Sequence, residues 1–357
     1  MGRRGPASAV RRVLAVMALT AAAAMLAGCA PRPPAARPTA DAATFENPIK
    51  VAGADPFVVQ WKGSYLLIES RDGGIWITRS ARNDLTDFDS GSQVKIWSAP
   101  ADGPDCADVW APELHAIGDR WYVYFAATTC DKNNANHRMF VLESSSADPL
   151  GSYVDKGRIS DAADRWAIDG TQFAWQGKRY FVWSGWPGRK NGQQNLYIAR
   201  MSSATKLVGT GVLLAEPTEP FERNAMPIEE GPEALIHGGV LRVVYSASGS
   251  WTDDYCLGML TFRGGDPLDR AAWTKSPKPV FASSAAVFGP GHGSFVKSPD
   301  GTQDWLVYHS ARYSGAGWDR VINAQPFTWR SDGSPDFGRP IGPDTHQKLP
   351  SGQHTAG

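Results

Sequence analysis

The chain lacks a charge excess of either sign. Lys and Arg number 36 and Asp and Glu number 36 among 357 residues, so the formal net charge is zero. A nucleic-acid partner would call for a basic footprint, and none is expected. Helical 3.6-residue periodicity is missing over any long window, and strands do not alternate with helical patterns. Their absence argues against helical bundles and against folds built on parallel strands. Only four cysteines occur, with no zinc-site spacing among them. The apolar run Val13–Ala27 is short for a membrane span.

That run follows Arg3, Arg4, Arg11 and Arg12 and ends in Leu26-Ala27-Gly28-Cys29. A basic region, a short apolar region and small residues before a cysteine read as an export signal resembling the bacterial lipobox, with Cys29 the lipidated residue. The alternative is an ordinary signal peptide cut nearby. Residues 1–29 are thus assigned to the signal and 30–44 to a Pro/Ala-rich tether. The folded domain is expected over 45–350, with 351–357 as a loose tail. Export implies an oxidising compartment. Cys106 and Cys130 flank one strand pair, so they are candidate disulfide partners, with Cys256 free and buried. Three unpaired thiols are the alternative.

What is abundant is aromatic and repetitive. Fourteen Trp and ten Tyr point first to sheet packing and second to platforms for sugar rings. Five stretches repeat one pattern of strand, glycine turn and apolar strand: Ala54–Ser70, Ala111–Ala127, Asp169–Gly185, Glu230–Ala247 and Gly291–Ser310. Their turn glycines are Gly63, Gly118, Gly177, Gly238 and Gly301, spaced by 55 to 63 residues. Further strand-like runs between them raise each unit to three or four strands. This predicts an all-β, five-bladed β-propeller. A propeller must close its ring, and Asn47–Val51 is the candidate segment for pairing with the last blade.

Asp55, Asp169 and Glu230 each stand eight residues before their turn glycine, and Trp110 fills that slot in the second unit. Equivalent positions in a radial fold converge on the axis, so three carboxylates would share one acidic pocket. An acid and a base carboxyl are the requirement for glycosidic hydrolysis. Close like charges raise one member's pKa and keep it protonated near neutrality.

Ala54-Asp55-Pro56, Trp110-Ala111-Pro112-Glu113, Ile168-Asp169-Gly170, Glu230-Gly231-Pro232, Gly289-Pro290-Gly291-His292 and His309-Ser310-Ala311-Arg312 occur in this order, with every unit represented. In this the chain resembles family 43 glycoside hydrolases, five-bladed propellers that hydrolyse arabinose- or xylose-containing polysaccharides with inversion. The resemblance implies Asp55 as general base, Glu230 as general acid, and Asp169 as the carboxylate that raises the acid's pKa and orients it. It implies substrate contacts from Trp110, His292 and Arg312. The alternatives are packing between blades for Trp110 and a surface salt bridge for Arg312. His292 resembles a histidine near the axis that contacts an ion, commonly calcium, through water; the alternative is a histidine held by hydrogen bonds with no metal. No cofactor is required for the reaction. Glu113 and Glu233 share an offset and look like a structural pair.

Tyr245-Ser246-Ala247-Ser248-Gly249 and Asp254-Tyr255-Cys256-Leu257-Gly258 are similar to the arabinofuranosidase members, including exo-acting enzymes on α-1,5-linked arabinan. β-Xylosidase and endo-arabinanase share the three carboxylates and stay open, as does a non-catalytic sugar-binding propeller. The expected partner is an arabinose-containing plant polysaccharide or oligosaccharide, the membrane is met only through the lipid, and a monomer is expected.

Overall fold

A computed structural model describes residues 43–353. Cys29, the signal segment, most of the tether and residues 354–357 lie outside the described residues. Five four-stranded antiparallel sheets follow one another along the chain. Blade I comprises Phe57–Trp61, Ser64–Arg71, Gly74–Arg79 and Ser92–Ser98; blade II comprises Ala107–Ile117, Arg120–Thr128, Arg138–Ser144 and Tyr153–Arg158. Blade III is Ala167–Trp175, Lys178–Gly185, Asn195–Ser203 and Lys206–Ala215; blade IV is Glu229–His237, Val240–Ala247, Cys256–Phe262 and Trp273–Lys275. Blade V is Phe288–Lys297, Asp304–Ala311, Arg320–Trp329 and Pro335–Asp336. The arrangement is the expected five-bladed β-propeller.

The second strand of each blade is apolar without alternation because both of its faces are buried. In blade I, Leu66 and Ile68 enter the cluster shared with blade II, while Tyr65 and Leu67 enter the cluster shared with blade V. In blade III, Tyr180 and Val182 face blade IV, and Phe181 and Trp183 face blade II. The period-two geometry of a strand thus feeds two neighbours at once. Each such side chain contributes about 1.5–3 kcal/mol of burial. Five interblade clusters take the place of a single core.

The ring closes through Asn47–Val51, as expected. Ile49 N–H donates to the Ile322 carbonyl at 2.8 Å, and Ile322 N–H donates to the Lys50 carbonyl at 3.0 Å. The Asn47 side chain donates to the Ala324 carbonyl at 3.1 Å and accepts from its N–H at 2.9 Å, mimicking one more strand residue. Pro335–Asp336 reaches only Thr328 and Trp329, so this N-terminal segment covers the part of the third strand that the fourth leaves bare. Thr44–Phe45 pairs with Gln347–Lys348 and ties the ends of the domain together. Cys106 and Cys130 are disulfide-bonded with Cα atoms 5.2 Å apart, and Cys256 is free and buried.

Candidate active site

Four of the five innermost strands carry a bulge near their start. Register shifts between Trp110 and Glu113, Ile168 and Thr171, Glu230 and Glu233, and Gly291 and Ser294 put two residues opposite one. The first bulged residue has positive φ: Ala111 at 41°, Asp169 at 54°, Gly231 at 52° and His292 at 48°, with Asp55 at 49° in the corresponding place. For the non-glycine members this backbone costs roughly 1–3 kcal/mol each, strain of the kind that gathers where a side chain must be aimed. Asp55, Asp169 and His292 are thereby delivered to one cavity of about 720 Å³, with Glu230 and Trp110 also on its wall.

The shared eight-residue offset needs one correction. In blades I and III the turn residues are Lys62-Gly63 and Gln176-Gly177, all with positive φ. In blade IV the turn is Gly238-Gly239, so Gly239 corresponds to Gly63 and Gly177. Asp169 occupies the bulge itself and Asp55 the corresponding positive-φ position just before the first strand of blade I, while Glu230 stands one residue earlier, level with Trp110 and Ile168. Gly231 takes the bulge in blade IV. A Cβ there would come within 3.0 Å of His292 Nδ1, and its N–H donates to Asp169 Oδ2 at 3.0 Å. Only glycine meets the φ and the close approach together.

The three carboxyls lie in opposed environments. A quarter of the Asp55 side chain opens to the cavity, although protein surrounds it at longer range. Burial alone would raise it. His292 Nδ1 and Arg320 Nη1, each 3.3 Å from Oδ1, outweigh burial and hold the group well below the ordinary carboxylate range. His309 Nδ1 accepts the Asp55 backbone N–H at 3.0 Å, which places the ring proton on Nε2. Its 3.2 Å approach to Oδ1 therefore carries no hydrogen, and the pull on Asp55 comes from His292 and Arg320. Burial pushes Glu230 up to about 7, with Asp55 adding to the rise, while a 2.9 Å hydrogen bond from the Tyr255 hydroxyl opposes it. Asp169 is raised by burial and by Glu230 and Asp55, so the two carboxyls titrate as a pair that retains a proton into the neutral range.

Trp110 stacks on His137 with centroids 3.8 Å apart and forms part of the cavity wall. Arg312 does not reach the cavity. It pairs with Asp319 at 3.0 Å and donates to the Val51 carbonyl on the exterior, the surface salt bridge that was its alternative. Arg320 supplies the guanidinium instead, because it opens the third strand of blade V beside Asp55, whereas Arg312 follows the end of the second. Sequence reasoning also left His309, Tyr255 and Ser250 without roles; the first two lay inside quoted motifs, the only signal available for them. Glu229 turns away to Lys275, which also meets Glu222. Glu113 and Glu233 occupy matching register positions below the bulges, where Glu113 meets His115 at 2.7 Å and Thr171 donates to Glu233 at 3.2 Å.

His292 does not bring a set of metal ligands with it. Among the described residues no three His, Cys, Asp or Glu side chains converge as a metal site. Asp55, its nearest carboxylate, is engaged by Arg320. Hard cations need several oxygen ligands, so these residues do not fit direct ligation of calcium, and an ion beside His292 would have to be held through water.

A sequence profile of glycosyl hydrolases family 43 matches residues 45–335. The chain belongs to family 43 of the glycoside hydrolases. It is 36% identical over 319 residues to an extracellular exo-α-(1→5)-L-arabinofuranosidase of Streptomyces avermitilis, covering 86% of this chain and 66% of that protein. It is 34% identical over 293 residues to the protein of the same name from Streptomyces chartreusis, covering 81% and 86%. The crystal structure of an α-L-arabinofuranosidase from Lactobacillus brevis superposes with a TM-score of 0.79 at 34% identity, over 84% of this chain and 98% of that one. The chain therefore spans about two thirds of the Streptomyces avermitilis relative, and nearly all of the Lactobacillus brevis chain.

Proposed function

We propose that this family 43 glycoside hydrolase is an exo-acting α-L-arabinofuranosidase that releases L-arabinofuranose from α-1,5-linked arabinan or arabino-oligosaccharides with inversion. The observation that carries the reading is the opposition of Asp55, held ionised, and Glu230, pushed up to about 7, on one cavity wall. Asp55 takes a proton from water as its oxygen forms a bond to the anomeric carbon. The bond from that carbon to the glycosidic oxygen breaks, and Glu230 gives that oxygen its proton. Asp169, whose Oδ2 accepts the Gly231 N–H, is raised together with Glu230 and helps keep a proton on the pair. The names of the two Streptomyces relatives support the sugar and the exo mode, and that of the Lactobacillus brevis structure supports the sugar. The reaction needs no cofactor, and no step passes through an ion.

The word extracellular in the relatives' names and the N-terminal segment support export, with anchoring through Cys29 as the finer proposal. Among the described residues no helix is long and apolar enough to cross a membrane. The chain acts as a monomer on this reading. The test is the product profile of the mature domain on linear α-1,5-arabinan over time. Arabinose alone from the earliest points, first formed as the β anomer by NMR and lost in Glu230→Gln, is expected. A ladder of oligosaccharides would make the enzyme endo-acting, and no product from arabinan or its oligosaccharides would refute the substrate.

A further inference from the structure

The mouth of the cavity carries two indoles that the proposed chemistry does not use. Trp318 is 68% exposed and Trp251 is 38% exposed, and both line the cavity. Their ring centroids are 5.9 Å apart at an interplanar angle of 70°. Large apolar surface left in water at the mouth of a cavity is a binding feature rather than a packing one.

Their placement relative to Glu230 is specific. Ser250 lines the cavity together with Glu230, and its carbonyl accepts from Arg320 Nη2 at 3.0 Å, the guanidinium that also meets Asp55. Trp251 follows Ser250 in the chain, and Trp318 Nε1–H donates to Ser250 Oγ at 3.4 Å. An acid protonates the oxygen of the departing sugar, so the leaving group must lie on the acid's side of the scissile bond. Glu230, Ser250 and the two exposed indoles line one cavity, so a sugar departing toward its mouth meets the indoles.

The platform is also held in place. Asp253 accepts from the Ser314 hydroxyl at 2.5 Å and from the Gly315 N–H at 2.9 Å, tying the blade V loop that bears Trp318 to the blade IV loop that bears Trp251. Trp251 packs on Gly249, where a Cβ would come within 2.9 Å of the ring. Rings fixed before the ligand arrives lose little freedom on binding.

We propose that Trp318 and Trp251 form the subsite for the sugar unit on the leaving-group side, where an uncharged furanose stacks its C–H face on the indoles. The assignment rests on the reading of Glu230 as the acid. Binding energy from this unit, remote from the reacting carbon, is available to draw the glycosidic oxygen onto Glu230.

Two substrates separate this role from a structural one. α-1,5-Arabinotriose places a sugar on the platform, whereas α-L-arabinofuranosyl fluoride places none there. Trp318→Ala is expected to lower kcat/KM on the triose by on the order of tenfold while changing the fluoride rate by no more than about twofold. Trp318→Phe keeps an aromatic face and should recover most of the loss. Equal losses on both substrates, or an unchanged triose rate, would overturn the subsite. A parent protein that cleaves neither substrate would refute the arabinofuranosidase reading, and the subsite with it.

Discussion

Tyr255→Phe removes one oxygen and should move one limb of the pH profile. The Tyr255 hydroxyl is buried and donates to Glu230 Oε1 at 2.9 Å, a bond that favours the ionised carboxylate. A hydrogen bond to a charged group contributes about 1.5–3 kcal/mol. Losing it penalises only the charged form, and 1.36 kcal/mol corresponds to one pKa unit, so the Glu230 pKa rises by roughly 1–2 units. The acid works protonated, and kcat/KM falls as pH climbs through its pKa. From a value near 7 in the parent, the alkaline limb should therefore shift upward, to about 8–9. The acidic limb belongs to Asp55, which Tyr255 does not touch, and should stay where it is. The assay is kcat/KM for arabinotriose across the pH range, with substrate well below KM. An alkaline limb that stays within about 0.3 unit of the parent, or moves down, would refute both the direction of this hydrogen bond and Glu230 as the titrating acid.

Two further outcomes follow from the same geometry. Arg320→Ala takes the guanidinium from Asp55 and from the Ser250 carbonyl, 3.3 and 3.0 Å away, and should cost about 2 kcal/mol of transition-state stabilisation, a loss of ~30-fold in kcat/KM. Arg312→Ala breaks a surface pair with Asp319 and a hydrogen bond to the Val51 carbonyl, both outside the cavity, and should change kcat/KM by less than about threefold; equal effects of the two variants would undo the assignment of Arg320. Exhaustive treatment with EDTA should leave the rate of the mature domain on arabinotriose unchanged, since among the described residues no three His, Cys, Asp or Glu side chains converge as a metal site. Loss of activity restored by calcium would show that an ion takes part.

The reading of Asp55 and Asp169 from spacing worked because bulge and turn are both local. Eight residues separate each from a glycine that a tight turn requires at positive φ, and no distant contact enters that relation. The same spacing misplaced Glu230 by one register position. Gly238 and Gly239 both suit the turn, and only strand pairing shows which of them matches Gly63. Arg312 failed for a related reason. A motif places an arginine near the end of a strand, but which guanidinium meets Asp55 depends on how blades V and I face each other across the closure.

The sequence by itself determined the number of blades, the apolar second strands, the turns and the three carboxyls, because these follow from backbone preference and from burial repeated at a regular interval. Only the tertiary structure decided what each carboxyl experiences. Arg320 and His292 lower Asp55 from blade V, Tyr255 reaches Glu230 from the next strand pair, and Trp318 meets Ser250 across two blades. Partners separated by tens to hundreds of residues are joined by strand pairing, blade packing and ring closure, and electrostatic influence depends on distance in space, which no spacing along the chain encodes.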